Sequence, residues 1–142
     1  MKTLLIVDDD PVFCSWCAEE LRDDGYRTIC DSNADGAEVM EVIRRRNPDL
    51  VVLDIRLGEH DGLDLLQKIR NAKHHLPIIL HSAYETFQYD LRSIAADHYV
   101  VKSADLSELK HKVQMSFQGT RAHEPPPAAV PQIGEKAGYY GL

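Results

Sequence analysis

Five polar residues stand just behind short apolar runs, and their types suit phosphoryl chemistry. Asp8 and Asp9 follow residues 4–7, Asp54 follows residues 50–53, Ser82 lies just past residues 78–80, and Lys102 follows residues 99–101. Three carboxylates brought together repel one another and raise their own pKa values unless a cation sits among them. Carboxylate, carbonyl and water oxygens suit Mg²⁺, which takes few protein ligands and shares phosphate oxygens; Mn²⁺ accepts a similar donor set. Phosphoryl transfer needs an in-line nucleophile and positive charge around the equatorial oxygens. Asp54 can supply the nucleophile, Lys102 can neutralise one phosphoryl oxygen, and the Ser82 hydroxyl can donate to another. The product would be an aspartyl phosphate. Taken singly, an aspartate behind a strand is usually a helix cap, as expected for Asp10, and a lone Ser or Lys is usually a solvated loop residue. Joint placement of all five is what points to a site.

The elements that must position these residues are legible as an alternation. Residues 4–7, 50–53, 78–80 and 99–101 are continuous apolar runs rich in β-branched residues, as expected of parallel strands buried on both faces. Residues 26–30 alternate more and follow Gly25, which suggests a strand nearer the sheet edge. Between the runs lie helical patterns. Val12, Phe13, Trp16, Cys17 and Leu21 share a face of a first helix, with Asp10 as cap and Pro11 in its first position. Ala37, Met40 and Ile43 mark a second helix, closed by Asn47-Pro48, and Leu63, Leu66 and Ile69 a third, opened by Asp61-Gly62. Phe87, Leu91, Ile94 and Ala95 mark a fourth, and Leu106, Leu109, Val113 and Phe117 a fifth. Five strand–helix alternations with short connections predict an open α/β sheet with right-handed crossovers and helices on both faces. All five polar positions then converge on one edge, where such sheets place their ligands.

The net charge of −7 and the lack of a long basic tract argue against direct nucleic-acid binding. Arg44-Arg45-Arg46 is expected to face water at a helix C-terminus. No run of roughly 18 apolar residues is present, so no membrane span is expected. The apolar run behind Met1-Lys2-Thr3 is too short for a secretory signal, and a cytoplasmic location is expected. Composition changes near Gly119: the stretch Glu124 to Pro131 can neither continue a helix nor join a sheet interior. The expected organisation is a folded unit over residues 1–118 and a flexible Pro/Ala-rich tail over 119–142, either passive or a docking peptide. With no output domain expected after residue 118, a stand-alone module acting through protein contacts or as a phosphoryl relay is expected.

The motifs Leu-Ile-Val-Asp8-Asp9-Asp10-Pro11, Asn47-Pro48-Asp49-Leu-Val-Val-Leu-Asp54, Asp61-Gly62, His81-Ser82-Ala83 and Tyr99-Val-Val-Lys102 together resemble the receiver domain of bacterial two-component response regulators. The resemblance covers residues 2 to about 117. It implies a flavodoxin-like, doubly wound five-stranded parallel sheet of order 2-1-3-4-5 with five helices, as in stand-alone chemotaxis-type regulators. It further implies a phosphoryl donor that is a phosphohistidine on a sensor histidine kinase or phosphotransfer protein. Mg²⁺ would be held by Asp9, Asp54, Asp8 and the backbone carbonyl of Arg56. Phosphorylation of Asp54 would draw in Ser82, let Tyr99 swing inward, and bias the face of the fourth helix, fifth strand and fifth helix toward a downstream protein or a dimer. Such a chain is a signalling module that supports its own phosphorylation and dephosphorylation, not an enzyme acting on other substrates.

Three departures from the family pattern stand out. Ser103 replaces the usual proline after the lysine, where a cis bond would cost about 2.5–4 kcal/mol. Leu57-Gly58-Glu59-His60 suggests a looser loop behind Asp54. Arg56 and Tyr84 bring bulk to positions flanking the phosphorylation site, which would hinder water and lengthen the phosphoryl lifetime. Three rival readings remain. A haloacid-dehalogenase-like phosphatase would use Asp8 as nucleophile and Asp10 as acid/base. A thiol oxidoreductase would use Cys14-Ser-Trp-Cys17, although Cys17 falls on an apolar face. A pseudo-receiver would bind partners without being phosphorylated.

Overall fold

The computed structural model describes residues 1–33, 35–85 and 90–118. Its main sheet contains β1 (Thr3–Val7), β2 (Arg27–Asp31), β3 (Leu50–Leu53), β4 (Ile78–Ser82) and β5 (His98–Val101). The strands are all parallel and run β2-β1-β3-β4-β5, the order expected from the resemblance. Among the described residues four α-helices accompany them: α1 (Pro11–Asp23), α2 (Gly36–Arg46), α3 (Gly62–Ala72) and α4 (Ser107–Gln118).

Because strand side chains alternate, the continuous apolar runs divide between two layers. Leu5, Val7, Val51, Leu53, Ile78 and Leu80 pack against α2 and α3. Leu4, Ile6, Leu50, Val52, Ile79 and Val100 pack against α1 and α4. β2 is an edge strand and more exposed than β1, as its weaker pattern suggested.

Capping explains where the helices begin. The Asp10 side chain accepts from the backbone N–H groups of Val12 and Phe13, Asp35 serves α2 in the same way, and Asp61 accepts from Leu63. Asn47 closes α2 in the left-handed conformation, with φ of 46°.

Several details differ from the sequence expectation. Val12 is 77% exposed, and the face of α1 turned to the core carries Cys14, Cys17, Ala18 and Leu21. The buried positions of α2 are Val39 and Ile43, while Ala37 is exposed. Where a fourth α-helix was expected, residues Leu91–Ala95 form a 3₁₀ turn and Ile94 faces solvent. Phe87 and the tail over 119–142 lie outside the described residues. The loop behind Asp54 is not loose. Arg56–Leu57 pairs with His60–Asp61 in a small antiparallel hairpin, anchored by the fully buried Leu57. No described peptide bond is cis, so Lys102–Ser103 is trans.

Candidate functional site

The sheet ladder runs one residue past several strand ends and so carries the polar residues to one edge. Asp8 donates its backbone N–H to the Asp31 carbonyl (3.2 Å), Asp54 to the Val7 carbonyl (2.9 Å), and Lys102 to the Ser82 carbonyl (2.7 Å). These bonds extend β1, β3 and β5, and they bring together residues far apart in the chain.

Carboxylate oxygens of Asp8, Asp9 and Asp54 all lie within 4.8 Å of one another. Asp8 and Asp54 are buried and Asp9 is exposed, so the group opens to solvent on the Asp9 side. The Lys102 ammonium bridges the two buried carboxylates, 2.8 Å from Asp8 Oδ2 and 2.9 Å from Asp54 Oδ2. Each remaining oxygen is oriented by backbone: Asp10 N–H donates to Asp8 Oδ1 at 2.9 Å, and Arg56 N–H to Asp54 Oδ1 at 3.3 Å. Gly58 N–H reaches across to Asp9 Oδ2 at 2.8 Å.

One ammonium facing three carboxylates leaves two negative charges uncompensated, and the electrostatics of the site reflect that deficit. Burial pushes the Asp54 carboxyl above the usual carboxylate range; Lys102 pulls it down and the Asp8 charge pushes it up again. Burial works against the Lys102 ammonium, but the Asp8 and Asp54 carboxylates more than offset this and its pKa is raised. An all-oxygen group with excess negative charge and one open side fits a small divalent cation.

Ser82 is fully buried at the end of β4, and its hydroxyl accepts from Tyr84 N–H at 3.1 Å. The Tyr99 ring is half-buried against the α2/α3 layer, and its hydroxyl donates to the Tyr84 carbonyl. Through Tyr84, Ser82 and Tyr99 thus belong to one polar cluster. The Arg56 guanidinium lies over the Tyr84 ring, 5.2 Å from its centroid. These two bulky side chains thus touch each other across the rim of the site.

Four contributors were not singled out from the sequence. Phe13 lies under the Lys102 ammonium at 4.6 Å, and its ring also meets Trp16 and His81. His81 is buried, and desolvation together with the Lys102 charge lowers its pKa to about 4. Gly58 adopts a φ of 62°, which lets its N–H turn toward Asp9. A Cβ on Gly62 would stand 2.1 Å from the Asp54 carbonyl oxygen and 2.8 Å from Ile55 backbone atoms. The Asp61-Gly62 pair was visible as a helix opening, but its close approach to Asp54 was not.

The geometry bears on two rivals. Asp10 spends its carboxylate on capping α1, away from the role of an acid/base over the site. Burial holds both Cys14 and Cys17 above the usual thiol range, the opposite of an activated C-x-x-C thiol.

Comparison with known proteins agrees with this arrangement. The family profile described as response regulator receiver domain matches residues 4–114. The response regulator TrrA from Thermotoga maritima, solved in complex with Mg²⁺-BeF, is 40% identical with a TM-score of 0.77; the match covers 82% of this chain and 99% of that one. TrrA solved in complex with the histidine kinase ThkA superposes with a TM-score of 0.75, at 40% identity over 82% of this chain and 98% of that one. A curated relative, the probable transcriptional regulatory protein TcrX of Mycobacterium tuberculosis, is 34% identical over 83% of this chain. The chain spans half the length of TcrX and 29% of the transcriptional regulatory protein ZraR of Klebsiella oxytoca, which is 33% identical. Among the described residues no helix is long and apolar enough to cross a membrane. The chain belongs to the response regulator receiver domain family.

Proposed function

We propose that the chain is a cytoplasmic phosphoacceptor switch in which Asp54 takes a phosphoryl group from a phosphohistidine of a sensor histidine kinase or phosphotransfer protein. The observation that carries this reading is the grouping of Asp8, Asp9 and Asp54 around the Lys102 ammonium, with Asp54 held by both Lys102 and the Arg56 N–H. An oxygen of Asp54 attacks phosphorus, an O–P bond forms, and the P–N bond breaks with its electron pair returning to the donor imidazole. Asp8, Asp9, Asp54 and the Arg56 carbonyl would hold Mg²⁺ or Mn²⁺, which would supply positive charge for the phosphoryl oxygens. Lys102 neutralises a further oxygen, and the Ser82 hydroxyl donates to a third.

The new group adds about −1.5 to −2 charges next to the Ser82–Tyr84–Tyr99 cluster. Drawing Ser82 toward the phosphoryl group breaks its bond with Tyr84 N–H and frees Tyr99 to shift. The face formed by the 91–95 turn, β5 and α4 then changes its affinity for a downstream protein or a second copy. Arg56 and Tyr84, in contact over the rim, restrict the path of an attacking water and set the phosphoryl lifetime.

Incubation with a small phosphodonor, with and without Mg²⁺, tests this by intact mass. One phosphoryl group is expected on wild type with Mg²⁺ and none on Asp54→Ala. Equal labelling of both proteins would refute the assignment.

A further inference from the structure

The three cysteines pair differently in space than in sequence. Cys14 and Cys17 form the visible C-x-x-C, and both are buried on α1. The sulfur that faces Cys14, however, belongs to Cys30 on β2, with the two Sγ atoms 2.6 Å apart. Sheet register explains the meeting. Cys30 is the partner of Ile6 across the β1–β2 ladder, and the Cys14 thiol donates to the Ile6 carbonyl at 3.4 Å. Both sulfurs therefore lie over the same rung, on the face covered by α1. A disulfide needs its sulfurs at about 2.05 Å, so little movement separates this contact from a bond.

Access is asymmetric. Cys30 is exposed on the edge strand, whereas Cys14 is fully buried. We propose that Cys14 and Cys30 form a reversible dithiol–disulfide couple, with Cys30 meeting the reagent first and a low-molecular-weight disulfide as co-reactant. In the first step the Cys30 thiolate attacks one sulfur of the reagent, forming a mixed disulfide and expelling one reagent thiolate. In the second, Cys14 attacks the Cys30 sulfur, loses its proton to solvent and expels the other reagent thiol. Two electrons and two protons pass from the cysteine pair to the reagent, which becomes two thiols. Burial and the neighbouring Cys30 hold the Cys14 thiol well above the usual range, so closure is the slower step. The bond would tie the first turns of α1 to the edge strand. Asp31, the next residue along β2, is the acceptor for Asp8 N–H, so the link would lie one residue from a contact that positions the acidic site. Transient bonds of this kind are the ones met in reducing compartments.

The test uses the full reduced chain, incubated natively with oxidised glutathione, then denatured, alkylated and mapped by mass spectrometry. The expected product has lost two hydrogens and two of its three alkylatable thiols. Its cross-link joins the peptide containing Cys14 to the peptide containing Cys30, and a dithiol reductant reverses it. Cys17→Ala should keep the cross-link and Cys30→Ser should lose it. A glutathione adduct that persists on Cys30, a link within the Cys14–Cys17 peptide, or three free thiols would overturn the proposal.

Discussion

Replacing Lys102 by Met removes the ammonium but keeps an apolar stem over Phe13. In the wild type that ammonium makes contacts of 2.8 and 2.9 Å to carboxylates whose side chains are only 4% and 7% exposed. At an effective dielectric of 20 each contact is worth roughly 6 kcal/mol before desolvation is subtracted. Deleting one partner of such a buried group typically costs about 3–5 kcal/mol, because the remaining charges are left uncompensated. Two routes of relief are open to the variant. Asp54, already pushed above the usual carboxylate range, can take a proton. A carboxyl whose folded pKa is raised binds more protons folded than unfolded, so stability is gained as pH falls through the folded value. Lys102→Met should therefore be more stable at pH 5 than at pH 8. The other relief is Mg²⁺, which no longer competes with the ammonium for Asp8 and Asp54. A tenfold gain in Mg²⁺ affinity, about 1.4 kcal/mol, is the expected minimum. Urea unfolding at both pH values, with and without saturating Mg²⁺, measures each quantity. Trp16, the only tryptophan, lies edge-on to Phe13 at 5.6 Å and offers a fluorescence readout of the Mg²⁺ titration. Labelling by a small phosphodonor should fall in the variant even though the ion binds more tightly. A loss below about 1 kcal/mol without metal, or unchanged Mg²⁺ affinity, would refute the view that Lys102 is the cation balancing the apo site.

Gly62→Ala should cost about 1–3 kcal/mol or more, because its Cβ meets backbone at 2.1 Å and not a yielding side chain; reduced Tm and phosphodonor labelling together would show that the Asp54 backbone has moved. His81 has a folded pKa of about 4 against an ordinary 6.5, so its contribution is full above pH 6.5 and is lost as pH falls toward about 4. That difference is worth about 3 kcal/mol, and His81→Leu should flatten the stability–pH profile in this window by that order; an unchanged slope would count against a buried neutral imidazole. Arg56→Asn and Tyr84→Ala should each speed loss of the phosphoryl group, measured as autodephosphorylation of the labelled chain, and unchanged rates would remove these residues from lifetime control.

How far the sequence could be read depended on whether a feature was local. Strands, sheet order and the openings of α1 and α3 rest on short apolar runs and on the caps Asp10 and Asp61, and these were legible or implied by the motifs, whereas the Asp35 cap of α2 was not singled out. Helix faces were less so. Val12, Ala37 and Ile94 are apolar yet exposed, because the phase of each turn, which spacing alone does not fix, decides which side chains face the core, and exposed single hydrophobes are ordinary. The hairpin behind Asp54 was misjudged for the opposite reason: its order comes from Leu57 entering the core, a long-range contact that composition does not announce.

The same distinction applies to the site. Residue types at strand ends were enough to gather Asp8, Asp9, Asp54, Ser82 and Lys102, since a parallel sheet brings those ends to one edge. Their partners were hidden, because Gly58, Phe13 and Gly62 act through a backbone N–H, a ring face and a missing Cβ. What the geometry adds is a charge count. Among the described residues the three carboxylates are compensated by a single ammonium, and that ammonium lies between the two that are buried. A site balanced this way has use for a further cation and, with the cation bound, can accept an incoming anion. On the proposed function the metal would correct this deficit and the phosphoryl group would renew it, with Lys102 moving from balancing carboxylates to balancing phosphate. Ser82 and Tyr99 are linked through Tyr84, so on the proposed function a change of charge at Asp54 would pass to this hydroxyl cluster.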